Sequence, residues 1–272
     1  GDKAAEYGVD TFWGILETLA GRGDVESALE KKIKAYLNST IGTSGFQSLD
    51  KIISELWGGV TEYATQGTYQ FRVPKNVHSI KVTACGGGGA GSAAKGSASC
   101  GGGGGSGGAA IQRIFTVTPL STINITVGSG GAGTNTVVSS DAFAANGNAT
   151  VVGTLVTLAG GRGGGVRSGG ASAGEGSGAG GSGKEYNSSS SSTYGSNGLF
   201  GKGGAKSEYS GGGGGSIGNG GDGASYGADG GNGTKGGGGG GGYKSGGSSA
   251  VSSKGGNGGD GYVKIEWGLA AL

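Results

Sequence analysis

Histidine occurs once in the 272-residue chain, at His78, and methionine does not occur at all, position 1 included. A single histidine removes the His-pair zinc site and most acid–base constellations from consideration. The missing initiator predicts a processed or truncated product. Two cysteines, Cys85 and Cys100, are too few for a disulfide framework. They are candidates for one disulfide closing a small loop, which would not by itself fix an oxidising compartment. Two prolines exclude collagen, which also needs glycine at every third position. No hydrophobic run is long enough to cross a membrane as a helix. A net charge of +2 gives no reason to expect nucleic acid. Hydrophobic residues make up 33% of the chain, too few for one conventional core spanning all of it.

What the chain has is glycine, 75 residues of it, nine in residues 1–64 and sixty-five after residue 84. Composition therefore changes near residues 60–68. Charge changes with it. Through Glu62 there are six Lys or Arg against ten Asp or Glu, and fourteen against eight thereafter.

The first part reads as a small α-helical module over 1–62. "VDTFWGILETLA" places Phe12, Leu16 and Leu19 at helical spacing. A second stretch, capped by Asp24, aligns Val25, Leu29, Ile33, Tyr36 and Leu37. "SLDKIISELW" supplies a third, stopped by Gly58-Gly59. The tripeptide Arg22-Gly23-Asp24 reads as a turn with its capping residue.

From Thr68 the period falls to two. "TYQFRVP" alternates Tyr69, Phe71 and Val73, and "HSIKVTAC" alternates Ile80 and Val82. "AIQRIFTVTP" and "STINITVGSGG" follow, the latter with Ile123, Ile125 and Val127 in phase. "ATVVGTLVTLAGG" reads as one bulged strand or two short ones. "GYVKIEW" closes the pattern, with its strand expected beside the first ones. These are half-buried antiparallel strands.

Between them lie glycine runs at 86–108, 128–134, 160–183 and 201–261. A linker joins domains, but here a strand pattern resumes after every run. The runs also carry a three-residue order: Asn219, Asp222, Ser225; Asp229, Asn232, Lys235; Asn257, Asp260. Three residues per turn is the period of polyproline II. A polyglycine chain in that helix has bare faces, so backbones approach closely and must satisfy each other's N–H and C=O groups. The expected fold class is mainly β: an antiparallel frame over 66–268 carrying a packed bundle of polyglycine II helices; the alternative is an unordered segment over 160–261.

"YQFRVPKNVHSIKVTACGGGGAG", followed by "GGNGGDGYVKIEW", resembles the glycine-rich proteins of phage tails and prophages. The strand-plus-glycine scheme is also similar to the glycine-rich domain of certain animal receptor kinases. Phage tail-fibre tip adhesins display loops from a stack of polyglycine helices. The resemblance covers roughly 68–267 and implies a virion protein at a fibre tip that binds a host cell-surface receptor. It does not extend to the N-terminal helices, which in the phage reading would attach to other tail-fibre subunits.

Enzyme signals are weak. G-x-G-x-x-G strings arise by chance in so glycine-rich a chain, and none opens a hydrophobic helix. "GGAKS" lacks the glycine that a P-loop needs before its lysine. No cofactor and no metal are expected, and the chain reads as a non-enzymatic binding protein. Isolated aromatics among Gly, Ser and Asn match the composition of binding loops. Tyr186, Tyr194, Tyr209, Tyr226 and Tyr243 are the candidate receptor anchors, with Lys184, Lys202, Lys206 and Lys244 beside them; the other reading of these aromatics is that they cap the ends of the glycine stack. Phe200 is isolated in the same way. The alternatives are a structural or assembly component of a tail, and an ice-binding or other extracellular glycine-rich protein.

Overall fold

The computed structural model describes residues 58–75, 77–93, 100–133, 143–165, 172, 174–183, 191–226, 228–244 and 253–271. The chain divides into two units, Gly1–Leu56 and Trp57–Leu272. All described residues belong to the second. The expected helices, and Arg22-Gly23-Asp24 with them, lie outside the described residues.

Among the described residues, ten strands follow in order: β1 Gly59–Tyr63, β2 Gly67–Arg72, β3 Ser79–Cys85, β4 Cys100–Gly101, β5 Ala110–Thr116, β6 Thr122–Val127, β7 Thr150–Val152, β8 Val156–Leu158, β9 Tyr243–Lys244 and β10 Tyr262–Trp267. A short 3-10 turn, Gly268–Ala271, follows β10. β1 takes residues expected to close the helical module, so the sheet begins inside the 1–62 segment. The Gly58-Gly59 stop is also the start of a strand.

Two four-stranded sheets form, in the orders β1-β10-β3-β5 and β2-β6-β7-β8, and β4 pairs with β9. Every pairing is antiparallel. β10 lies beside β1 and β3, as the sequence suggested, with Ile265 opposite both Thr61 and Val82. "ATVVGTLVTL" makes two short strands because Gly153 turns the chain at φ 50°.

The two sheets share one apolar core. Ile80, Val82, Val263 and Ile265 come from the first, and Phe71, Ile123, Ile125 and Val152 from the second. Each such side chain contributes about 1.5–3 kcal/mol when fully buried. Phe71 and Trp267 meet across the core with ring centroids 5.3 Å apart.

All the glycine-rich insertions leave the same end of this pair of sheets. On the first sheet that end carries Cys85 opposite Ala110 and Tyr262. On the second it carries Val127, Thr150 and Leu158. The insertions touch as they leave: Gly261 N–H donates to the Gly128 carbonyl at 2.8 Å, and Gly87 N–H to that of Asn148 at 3.0 Å.

Beyond that end the packing changes character. In the segment after β3, Gly86, Gly89 and Ser92 donate to Ala109, Ser106 and Gly103. Gly87 and Ala90 donate to Asn148 and Ala145, and Gly88 and Gly91 to Gly259 and Gly256. Each N–H thus addresses a different neighbour and returns to the same one every third residue. The segment before β5 behaves alike: Gly102, Gly105 and Gly108 donate to Gly242, Gly239 and Gly236. Side chains are excluded by contact. A Cβ on Gly238 would strike the Gly105 carbonyl oxygen, and one on Gly105 that of Gly89. The buried serines return hydroxyl donors to this framework, Ser92 to Gly165 O at 2.9 Å and Ser216 to Gly108 O at 2.7 Å. Among the described residues no buried side-chain N or O lacks a partner.

The cysteine bridge is not formed: Cys85 and Cys100 are both buried and neither belongs to a disulfide. The ladder explains why. Cys85 pairs with Ala110 at the sheet end, whereas Gly103 is already opposite Ser92 and Cys100 lies farther out. Seven residues of extended glycine chain span roughly 20 Å, and a disulfide needs Cα atoms within about 7 Å.

Candidate binding surface at the far end of the glycine segments

The edges of the glycine region are fixed by the three-residue order of polar side chains. Asn219 Oδ1 accepts from Lys202 N–H at 2.9 Å and Asp222 Oδ1 from Ala205 N–H at 2.7 Å. One register along another edge, Asp229 takes Lys254 N–H and Asn232 takes Asn257 N–H, both at 2.8 Å. Asn257 and Asp260 accept from Gly133 at 2.7 Å and Gly130 at 2.9 Å. Among the described residues, no backbone carbonyl of a further segment receives these N–H groups. An Asn or Asp oxygen every third residue replaces it.

The far end, away from the sheets, gathers tyrosines from distant sequence positions. Tyr243 opens β9, which pairs with Cys100-Gly101 of β4. Its backbone exchanges hydrogen bonds with Ser253: Tyr243 N–H donates to Ser253 Oγ, and Ser253 N–H to Tyr243 O, both at 2.7 Å. Tyr243 is 8% exposed. Tyr209 lies 5.5 Å from it and Tyr226 6.1 Å, centroid to centroid. Tyr209 sits in a turn closed by Ser207 and Ser210, whose N–H groups donate to each other's oxygens at 3.0 Å. Ser192 Oγ ties that turn down through Ser207 O at 2.6 Å. Tyr226 projects outward, 73% exposed. Tyr194 is also largely exposed, with Lys206 Nζ 5.9 Å above its ring. At an exposed site such a contact stabilises by about 0.5–1 kcal/mol.

Three of the five candidate tyrosines therefore converge, and a fourth pairs with a candidate lysine. Tyr243 is the buried floor of the cluster rather than an exposed anchor. Lys202 is elsewhere, beside the turn in which Gly201 N–H donates to Ser216 O. Ser216 reaches Gly108, and Gly108 N–H reaches Gly236 beside Cys85, so that turn lies at the sheet end. Phe200 is exposed in the same turn. Tyr186 and Lys184 lie outside the described residues, as does the side chain of Lys244. Sequence reading missed Phe143, which is 66% exposed with the Arg162 guanidinium 5.9 Å over its ring. Its isolation in "DAFAANGN" is the signal that marked the tyrosines.

Open clefts of about 660 and 530 Å³ follow the outer face of the second sheet, lined by uncharged residues that include Thr126, Asn124 and Asn148. Among the described residues no three His, Cys, Asp or Glu side chains form a group able to hold a metal ion. At the sheet end, burial pushes the Cys85 thiol up to about 11. Its Sγ donates to Lys235 O at 3.1 Å. Burial and the neighbouring Glu62 carboxylate also raise the Tyr262 phenol. Lys235 Nζ covers that ring at 4.3 Å. These groups join the glycine region to the first sheet.

A family model described as a glycine-rich domain matches residues 64–268. None of the curated proteins compared with the chain matches it.

Proposed function

The chain belongs to that glycine-rich domain family, and on that premise we propose that it is a non-enzymatic binding protein, the adhesin of a phage tail-fibre tip. Its glycine segments act as a stack of polyglycine II helices. The return of each N–H to the same neighbour every third residue supports this. The stack holds the far-end loops rigid, so little ordering cost remains when they meet a host cell-surface receptor. The observation that carries the reading is the convergence of Tyr209 and Tyr226 on Tyr243, with Tyr194 and Lys206 nearby. Binding energy tends to concentrate in a few aromatic residues. The N-terminal module attaches the tip to other fibre subunits in the virion.

The test is adsorption of the purified chain to a panel of bacterial cells. Replacing Tyr194, Tyr209 and Tyr226 together with serine is expected to leave melting nearly unchanged and to abolish most adsorption. Adsorption that survives the triple change moves the binding face to the N-terminal module or the sheets. Absence of adsorption by the parent chain to every cell type contradicts the adhesin reading.

A further inference from the structure

Asn–Gly is the dipeptide at which a chain most readily loses ammonia, because nothing shields the glycine nitrogen from the preceding side-chain amide. The sequence holds five such steps, beginning at Asn146, Asn197, Asn219, Asn232 and Asn257. All five lie in the insertions between strands, and at all five the asparagine side chain and the glycine N–H are both held by hydrogen bonds. The Oδ1 atoms of Asn146 and Asn197 accept from Gly163 N–H at 2.9 Å and Gly203 N–H at 3.0 Å. Those of Asn219, Asn232 and Asn257 accept the edge N–H groups described above. Each following glycine N–H donates to a carbonyl at 2.9 Å, as Gly147 does to Gly161 and Gly258 to Gly131.

We propose that these five Asn–Gly steps are latent modification sites, kept silent by the folded glycine stack and released to deamidate when it opens. In the reaction the glycine nitrogen bonds to the asparagine Cγ, the Cγ–Nδ2 bond breaks, and ammonia leaves carrying the former amide proton. Water then opens the ring at either carbonyl to give aspartate or isoaspartate, with no change of oxidation state. Attack requires the glycine N–H to leave its carbonyl and the asparagine side chain to rotate out of the position its Oδ1 bond holds.

The two products have different fates. Asp222, Asp229 and Asp260 are each followed by glycine, and each accepts an edge N–H at 2.7–2.9 Å. An aspartate product therefore fits the stack. An isoaspartate adds a carbon to the main chain and displaces every later N–H from its three-residue return. Opening followed by isoaspartate formation is thus a one-way exit from the fold.

The test compares the intact folded chain with synthetic peptides spanning each step, in one mildly alkaline buffer, by peptide mass mapping. Loss of two hydrogen bonds per event predicts deamidation at least about tenfold slower in the folded chain at each step. A smaller ratio at most of the steps overturns the proposal. An Asn257→Asp variant separates the product claim: unchanged melting supports it, and a chain that melts early or fails to fold overturns it.

Discussion

The paired sheets and the glycine region are both buried, yet their interiors have almost nothing in common. Between the sheets the buried atoms are Ile80, Val82, Ile125 and Ile265, each 0% exposed and presented by strands of period two. In the glycine region they are glycine backbone and the hydroxyls of Ser92, Ser210 and Ser216. The first interior is stabilised by removing apolar area from water. The second is held by backbone donors and acceptors that find partners in several neighbouring segments. Ordering a backbone costs about 1–2 kcal/mol per residue, and only many segments packed side by side offset it. Closely approached backbone is therefore a packing surface in its own right, provided no side chain intervenes.

The largest expected effect comes from placing a side chain where the contrast says none fits. Gly238→Val forces a branched Cβ into the Gly105 carbonyl, and loss of the cooperative melting transition of the glycine region is expected by calorimetry. Ile265→Ala, at the centre of the sheet core, should cost about 2–5 kcal/mol in chemical unfolding. Next in size is alkaline destabilisation. The Cys85 thiol is raised from 9.0 to about 11 by burial, so the folded chain holds that proton more tightly than the unfolded one. The resulting stability is complete below pH 9 and is lost as pH rises towards 11. Tyr262, raised as well, acts with the same sign. A Cys85→Ala variant should show a shallower alkaline decline in melting temperature. The smallest effect is at the edges. Asp222→Ala removes one acceptor from Ala205 N–H, which water then serves in part, and about 1 kcal/mol of destabilisation is expected.

The same contrast decides what could be read from the sequence. Strands with one buried face were legible, because Ile123, Ile125 and Val127 must alternate to be buried. β1 was not, because "GVTEY" follows a helix-stop signal and offers one short alternation. The three-residue order at Asn219 and Asp222 was visible, but its role as an N–H acceptor was not, since that depends on which segment lies alongside. At Asn146 and Asn197 no period marks the same role. Glycine carries no side chain to specify a neighbour, so the meeting of Tyr209, Tyr226 and Tyr243 could not be anticipated. The burial of Tyr243 follows from its pairing with Gly101, a contact across more than a hundred residues of sequence.

Amide hydrogen exchange tests the central claim most directly. Gly105, Gly238 and Gly239 donate to glycine carbonyls of other segments, and none has a side chain to shelter it. The account predicts protection within about tenfold of that at Val82 and Ile265 in the sheets. Exchange of these glycine amides at the rate of an unfolded chain, with Val82 and Ile265 still protected, would contradict it.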